Sequence, residues 1–290
     1  MIYLVDASVY IFRAYFSLPD SMRDPQGAPV HAVYGFTRFL AELLERERPR
    51  YIACAFDESL TSSFRNRMYP AYKANRALPP PELERQLHAC RRASRALGVR
   101  EFASRRFEAD DIIGTLAKRY REKHPVVIVT RDKDLAQLVT PGDTFWDYAS
   151  GERHDSESLR VKLGVAPHQI ADLLALAGDA VDNIPGVPGI GIKTAIILLR
   201  AFGNLDTVYG NLDKVAHLPV RGAQGIAARL AAGRDLAWLS RQLATVHCDV
   251  PLNASLQDLR WRKPSARGVS RLFGELGFGT GLRERVARLA

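Results

Sequence analysis

Three short apolar runs, each closed by an acid, constrain this chain more than any other feature. Residues 2–5 end at Asp6, residues 51–56 (YIACAF) end at Asp57, and residues 126–129 (VVIV) lead into Thr130-Arg131-Asp132-Lys133-Asp134. Unbroken apolar runs of this length read as strands buried on both faces, which points to a parallel sheet. Helical patterns over 33–47, 81–97 and 109–123 separate the runs. Strands alternating with helices predict an α/β fold with a mostly parallel, doubly wound sheet. A weaker strand is expected at 144–148 and a polar helix at 156–163.

In open α/β sheets ligands bind outside the carboxyl ends of the strands. Each run therefore delivers an acid to the same edge. Glu108-Ala109-Asp110-Asp111 opens the helix before the third run and adds three more. Asp179 and Asp182 follow an apolar helical run, 170–177, and their spacing puts both carboxylates on one side of a turn. The candidate metal ligands are thus Asp6, Asp57, Glu108, Asp110, Asp111, Asp132, Asp134, Asp179 and Asp182. Two carboxylates about 5 Å apart repel by roughly 3 kcal/mol at an effective dielectric near 20. Gathered acids therefore call for hard cations: two or more Mg²⁺, with Mn²⁺ able to substitute. Such a pair can clamp the attacking and leaving oxygens of phosphodiester hydrolysis. The chain has no Gly-x-Ser-x-Gly elbow, no Walker loop and no Gly-x-Gly-x-x-Gly after the first run.

Directly after Asp182, Pro185-Gly-Val-Pro-Gly-Ile-Gly191 reads as a tight loop feeding an apolar helix over 194–202. Gly186, Gly189 and Gly191 are expected to supply positive φ and close backbone approach. Lys193 and Thr194 open the helix, whose N-terminus is an anion site. Residues 62–76 interleave Arg65, Arg67, Lys73 and Arg76 with Phe64, Tyr69 and Tyr72. Cations for phosphates and rings for bases suit single-stranded nucleic acid. The formal charge of +9 points the same way, toward a polyanionic partner and only secondarily toward a membrane surface.

From residue 165 the chain reads as helical, over 167–178, 194–202, 204–211 and 225–243, while 246–251 is expected to return to the sheet. The organisation predicted is an α/β core over 1–164 and a helical DNA-binding region over 165–290, whose C-terminal segment docks back on the core. The scattered histidines and tryptophans read as packing or surface residues. Arg91, Arg92 and Arg95 read as a solvated helix face, with an auxiliary DNA track as the sharper alternative. Three unpaired cysteines, a leader unlike a signal peptide and no long apolar span lead to the expectation of a soluble cytoplasmic monomer.

The motifs IYLVDASVYIFRAYF, VHAVYGFTRFL, AFDESLTSSFRNRMYPAYKANR, EADDIIGTLA, TRDKDLAQLV and GDAVDNIPGVPGIGIKTA closely resemble the 5′-nuclease (flap endonuclease) family. The likeness is strongest to the 5′-nuclease domain of bacterial DNA polymerase I, in a stand-alone 5′–3′ exonuclease form, and spans essentially the whole chain. It implies a PIN-like core and Mg²⁺-dependent hydrolysis of DNA at 5′ ends, flaps, nicks and single-strand/duplex junctions, RNA-primed DNA included, in replication or repair at the nucleoid. It maps the family's ligands onto the nine acids and a helical arch onto residues 62–85. Lys73 and Arg76 become catalytic cations, and Arg65 and Arg13 phosphate contacts. A helix-three-turn-helix falls on 183–202, with K⁺ held by carbonyls such as those of Gly186 and Ile190. No room is expected for a polymerase or proofreading domain. Two rivals stay open: a catalytically silent junction-binding protein and a PIN-like ribonuclease.

Overall fold

The computed structural model describes residues 1–58 and 61–289. Ser59 and Leu60, inside one quoted motif, and Ala290 lie outside the described residues. The chain runs β1 (Ile2–Asp6), α1 (Ala7–Ser17), α2 (His31–Glu47), β2 (Tyr51–Asp57), α3 (Phe64–Met68), α4 (Pro81–Ala96) and β3 (Arg100–Ser104). It continues with α5 (Ala109–Tyr120), β4 (Val126–Val129), β5 (Thr144–Asp147), β6 (Glu152–His154), α6 (Ser156–Leu163), α7 (Ile170–Ala177) and α8 (Ile192–Phe202). Then come α9 (Leu205–Tyr209), α10 (Leu212–Val215), α11 (Ala223–Ala232), α12 (Arg234–Ala244), α13 (Ala266–Glu275) and α14 (Thr280–Ala287).

The six strands form one sheet in the order β3-β2-β1-β4-β5-β6, parallel except for β6. Alternation along each strand divides the core. Ile2, Leu4, Val126 and Ile128 face one layer with α5, α7 and α12, while Tyr3, Val5, Val127 and Val129 face the other with α1, α2 and α4. Every strand residue of β1 and β4 is buried, which is why these runs read as unbroken apolar stretches. Each fully buried aliphatic side chain contributes roughly 1.5–3 kcal/mol. The first layer joins residues on both sides of position 165 in a single hydrophobic cluster. α13 and α14 close the second layer, placing the C-terminal segment on the core.

The chain steps from β1 to β2 and β3 on one side and then crosses back to β4 on the other, so the switch point of the sheet lies between β1 and β4. A crevice opens there at the carboxyl ends of the strands.

Several expectations need correction. α1 continues the apolar run of β1 without a break, so it is legible only as more of the same run; Ala7, Tyr10, Ile11 and Ala14 are its buried face. β3 is an edge strand with charged Arg100 and Glu101, and only its Phe102 is buried. β6 is three polar residues. The expected helix over 225–243 breaks at Gly233 into α11 and α12. Residues 246–251 do not return to the sheet. They lie along α5, where His247 N donates to Asp111 Oδ1 at 2.8 Å and Val250 N to Thr115 Oγ1 at 3.0 Å. The 62–85 span is helical only in α3 and the first turn of α4; turns fill the interval between them.

Candidate active site

Asp6 ends β1 and begins α1 at the switch point. Its Oδ2 accepts from Thr130 Oγ1 at 2.9 Å, and that hydroxyl in turn accepts from Asp132 N at 2.9 Å. Asp132 caps the 3₁₀ turn after β4 by accepting from Asp134 N at 2.9 Å. On the other side of β1, Asp57 Oδ1 accepts from Ala109 N at 2.9 Å and Asp57 N donates to Ser8 Oγ at 3.2 Å. α5 therefore starts against β2, with Asp110 in its first turn. The sequence pattern does not single out Thr130 or Ser8; the only signal is their place beside a strand-terminal acid.

Asp179 and Asp182 sit on a turn rather than on the helix before it. α7 stops at Gly178, which has φ +74°, and the turn is closed by two backbone bonds, Asp179 N to Ile184 O and Ile184 N to Asp179 O, at 2.9 and 2.8 Å. Asp134, Asp179 and Asp182 each offer a carboxylate oxygen within 4.8 Å of the others. This group fits a hard divalent cation. Its donors are all oxygen, and Asp134 Oδ1 is buried without a hydrogen-bond partner.

The electrostatics show the strain of gathering these acids. Burial, reinforced by Asp57 and Asp132, pushes Asp6 up to about 7. Burial together with Asp132, Asp179 and Asp182 pushes Asp134 up to about 7 as well. Asp110 is raised well above the ordinary range by burial and by the charges of Asp132 and Asp6. Asp132 is raised chiefly by burial, with Asp182 adding to it. Glu108 goes the other way. Burial opposes its ionisation, but the charges of Lys73 and Arg65 outweigh it and hold the carboxyl low.

The loop between α3 and α4 lies directly over this edge. Lys73, at φ +54°, donates its backbone N–H to Asp182 O at 2.9 Å. Its Nζ reaches Glu108 Oε2 at 2.6 Å and Asp182 Oδ2 at 3.6 Å. Arg76 pairs with Asp182 through its guanidinium. Asn183 Nδ2 donates to Ala71 O at 2.7 Å and Asn75 Nδ2 to Ala180 O at 2.8 Å, so the loop and the acidic turn are stitched together. Nothing in the sequence pattern points to either asparagine.

Three roles expected from the sequence do not survive the geometry. Asp111 is fully buried and its carboxylate is committed: Arg65 binds it with two bonds of 2.8 Å, and Glu108 N and His247 N donate to it. It is a structural anion. Arg65 is equally buried, its remaining donors bound to Leu243 O and Thr245 O, and so cannot meet a phosphate. Tyr72 is buried with its hydroxyl 3.3 Å from both Glu108 and Asp182, leaving no face for a base. Phe64 is half-buried, with ring contacts to Phe107 and His247. Arg13 is exposed on α1 and lines a cavity of about 330 Å³ between α1 and α2.

In the turn before α8, glycine is required for different reasons at different positions. Gly186 has φ +62°, and a Cβ there would lie 2.3 Å from Gly178 N; it permits two backbones to touch. Gly189 has φ +79° and is exposed, with only the Arg229 side chain close by. Gly191 corrects the expectation. It has φ −90° and ψ 171°, an extended N-cap that any residue adopts, and a Cβ would meet nothing within 4 Å. Lys193 is exposed and Thr194 half-buried in the first turn of α8, and Ile190 is buried in the turn.

A parallel sheet with acids massed at its switch point and cations held above them is the architecture of a metal-binding nuclease core. The sequence matches the family descriptions "5'-3' exonuclease, N-terminal resolvase-like domain" over residues 1–164 and "5'-3' exonuclease, C-terminal SAM fold" over residues 165–267. The chain belongs to the 5′-3′ exonuclease family. It is 42% identical over 277 residues to DNA polymerase I of Pseudomonas aeruginosa, covering 95% of this chain and 30% of that protein. It is 36% identical over 273 residues to the 5′-3′ exonuclease of Buchnera aphidicola subsp. Schizaphis graminum, covering 93% of this chain and 94% of that one. The chain thus spans under a third of the polymerase relative's length and nearly all of the exonuclease's. Among solved structures, zinc-bound T5 5′-exonuclease superposes with a TM-score of 0.68 at 19% identity, covering 99% of this chain and 97% of that one. The catalytic core of Rad2 in complex with DNA substrate gives 0.66 at 16%, covering 99% and 92%. At these identities the likeness is one of fold. No helix among the described residues is long and apolar enough to cross a membrane.

Proposed function

We propose that this chain is a structure-specific 5′-nuclease that hydrolyses phosphodiester bonds at the 5′ ends and flaps of DNA, in primer removal or repair. The observation that carries the reading is the convergence of Asp6, Asp57, Asp110 and Asp132 with Asp134, Asp179 and Asp182 at one sheet edge, under Lys73 and Arg76. Asp134, Asp179 and Asp182 would hold one divalent ion, and Asp6, Asp110 and Asp132, with Asp57 beside them, a second. Mg²⁺ at both positions, or Mn²⁺ in its place, supplies Lewis-acid stabilisation of an in-line phosphodiester displacement. K⁺ on the carbonyls of Gly186 and Ile190 would belong to the duplex grip.

The chain's own residues do the rest. Lys73 and Arg76 both pair with Asp182 in the free protein, so they are placed to turn to a phosphate once a cation takes over that acid. Such preorganised charge acts mainly on the transition state. Tyr72 and Glu108 position Lys73. The exposed Gly189–Gly191 turn, with Lys193 and Thr194 behind it, offers backbone N–H groups and a helix N-terminus to duplex phosphates without reading bases. Arg13 adds a contact from α1. The full set of acids disfavours a silent junction-binding protein.

The test is cleavage of labelled flap, nicked, blunt and single-stranded substrates, with Mg²⁺ and with excess EDTA. Flap cutting that needs the metal and disappears in Asp134→Asn, while DNA binding persists, is the expected result. Undiminished turnover in EDTA would refute it.

A further inference from the structure

The far edge of the sheet carries a second charged feature. Residues 260–265 strap across the amino ends of the strands: Trp261 N donates to Arg50 O at 3.0 Å, Arg262 N to Gly98 O at 3.1 Å, and Ser265 N to Ala96 O at 3.0 Å. Gly98, at φ +77°, allows this approach, since a Cβ there would lie 1.9 Å from Arg262 O. The strap is therefore fixed in place. It closes a depression of about 150 Å³ lined by Arg95, Arg100, Arg260 and Arg262, with Asp258 as its one acid.

These cations outnumber the acids they face. Asp258, hydrogen-bonded to Ser255, also attracts Arg100 and Arg262, and Arg95 shares Glu101 with Arg91. Arg100, Arg260 and Arg262 are exposed and make no salt bridge among the described residues. Four guanidinium groups around a space of this size match the oxygens of a phosphate.

A path leads to the depression from the acidic edge. Asp57 shares a cavity of about 330 Å³ with Glu84, His88 and Arg91 of α4. Along α4, Arg85, His88, Arg92 and Arg95 are spaced three, four and three apart and all are exposed, so they form one basic stripe on the helix. Arg92, paired with Glu275, and Arg95, paired with Glu101, then line a groove against α13, and Arg95 also lines the four-arginine depression. The stripe is one helix face wide, which suits a single strand rather than a duplex.

We infer that α4 and the 260–265 strap form a track for the phosphates of a single-stranded 5′ tail, running from the Asp57 cavity to the arginine depression at the opposite edge of the sheet. The inference rests on the nuclease reading above and adds a site that this reading does not use. α4 is about 24 Å long at 1.5 Å per residue, so a tail of about two nucleotides stops short of the depression and one of about fifteen can reach it.

The experiment compares affinities for one duplex bearing a 5′ tail of about two or about fifteen nucleotides, in Ca²⁺ to prevent turnover. It uses wild-type protein, the double variant Arg260→Ala/Arg262→Ala and its lysine counterpart. Both arginines are exposed and the strap is held by backbone bonds, so the fold is retained. The alanine variant is expected to bind the long-tailed substrate roughly tenfold more weakly at 0.1 M salt, with the salt slope reduced by about 1.4 for two lost phosphate contacts. The short-tailed substrate should be bound unchanged, and the lysine variant should recover most of the loss. Equal loss on both substrates would assign the arginines to duplex and overturn the track, as would no loss on either. Wild-type protein that cuts flaps, with a loss of affinity in the alanine variant that does not depend on tail length, defeats the track alone. Wild-type protein that cuts no flap defeats the nuclease reading itself.

Discussion

Arg65 and Asp111 show how a single pair can mimic a functional residue in a sequence. Arg65 sits in a run of cations and rings, and Asp111 in a run of acids, yet each is fully buried and neutralises the other through two bonds of 2.8 Å. Removing one member of a buried pair leaves the other uncompensated, at a cost of about 3–5 kcal/mol. Arg65→Ala is therefore expected to lower the unfolding free energy by that amount, measured by chemical denaturation. The surviving folded fraction should bind DNA as before; a variant of normal stability but weak DNA affinity would return Arg65 to the interface. Lys73 and Arg76 behave oppositely, because both pair with Asp182, an acid that a cation would claim. For Lys73→Ala and Arg76→Ala, single-turnover cleavage at saturating enzyme should fall by about 10²–10³, the scale of a lost oxyanion donor, with little change in duplex affinity. Wild-type rates in both would remove these residues from the chemistry.

At the level of elements, what could be read from the sequence was what is buried on both faces or anchored by a turn. β1, β2 and β4 declared themselves because their side chains are buried on alternate layers, and α6 because an Asp155 cap and a left-handed Gly164 bound it. β3 and β6 did not, since pairing at a sheet edge needs no apolar run. The acids were legible for the same reason as the strands that end in them. Whether an acid faces the crevice or a buried arginine depends on contacts far along the chain, such as His247 with Asp111, and no local pattern carries that. The turn before α8 sharpens the point, because glycines that look equivalent in sequence do different things. Gly186→Ala forces a Cβ against Gly178 N and a positive φ on a residue that resists it, so its melting temperature should drop clearly. Gly191→Val meets open space and an ordinary backbone, so the melt should match wild type. Its affinity for a flap duplex should still fall, with the isolated single strand bound as before, because the new side chain stands where a phosphate would approach. Equal loss on both ligands, or none, would rule out a duplex grip at this turn.

Across the whole molecule charge is unevenly placed: a chain of net +9 still gathers Asp6, Asp57, Asp110, Asp132, Asp134, Asp179 and Asp182 at one edge of the sheet. The cost of that arrangement falls on the metal-free protein and sets how its stability depends on pH. Asp6 and Asp134 titrate near 7 when folded, against 3.8 when exposed, and Asp110 is raised as well. A raised acid holds its proton in the folded state where the unfolded chain has lost it. Its contribution is therefore fully present below about 3.8 and is lost as pH rises through 7. Glu108 has the opposite sign, but its depressed value means that its stabilisation is complete by the mildly acidic range. Between pH 5 and 8 the raised acids dominate. The unfolding midpoint in EDTA should accordingly fall across this window, and millimolar Mg²⁺ should restore it at pH 8, since an ion that binds only the folded state stabilises it by mass action. The decisive quantity is the difference between wild type and Asp134→Asn, in which contributions common to both cancel. The variant removes one raised acid. It should be more stable than wild type at pH 8 in EDTA, lose less stability between pH 5 and 8, and gain less from Mg²⁺. A wild type whose stability is flat or rises over that interval, with Asp134→Asn tracking it, would mean that the acids at this edge are not held in mutual repulsion.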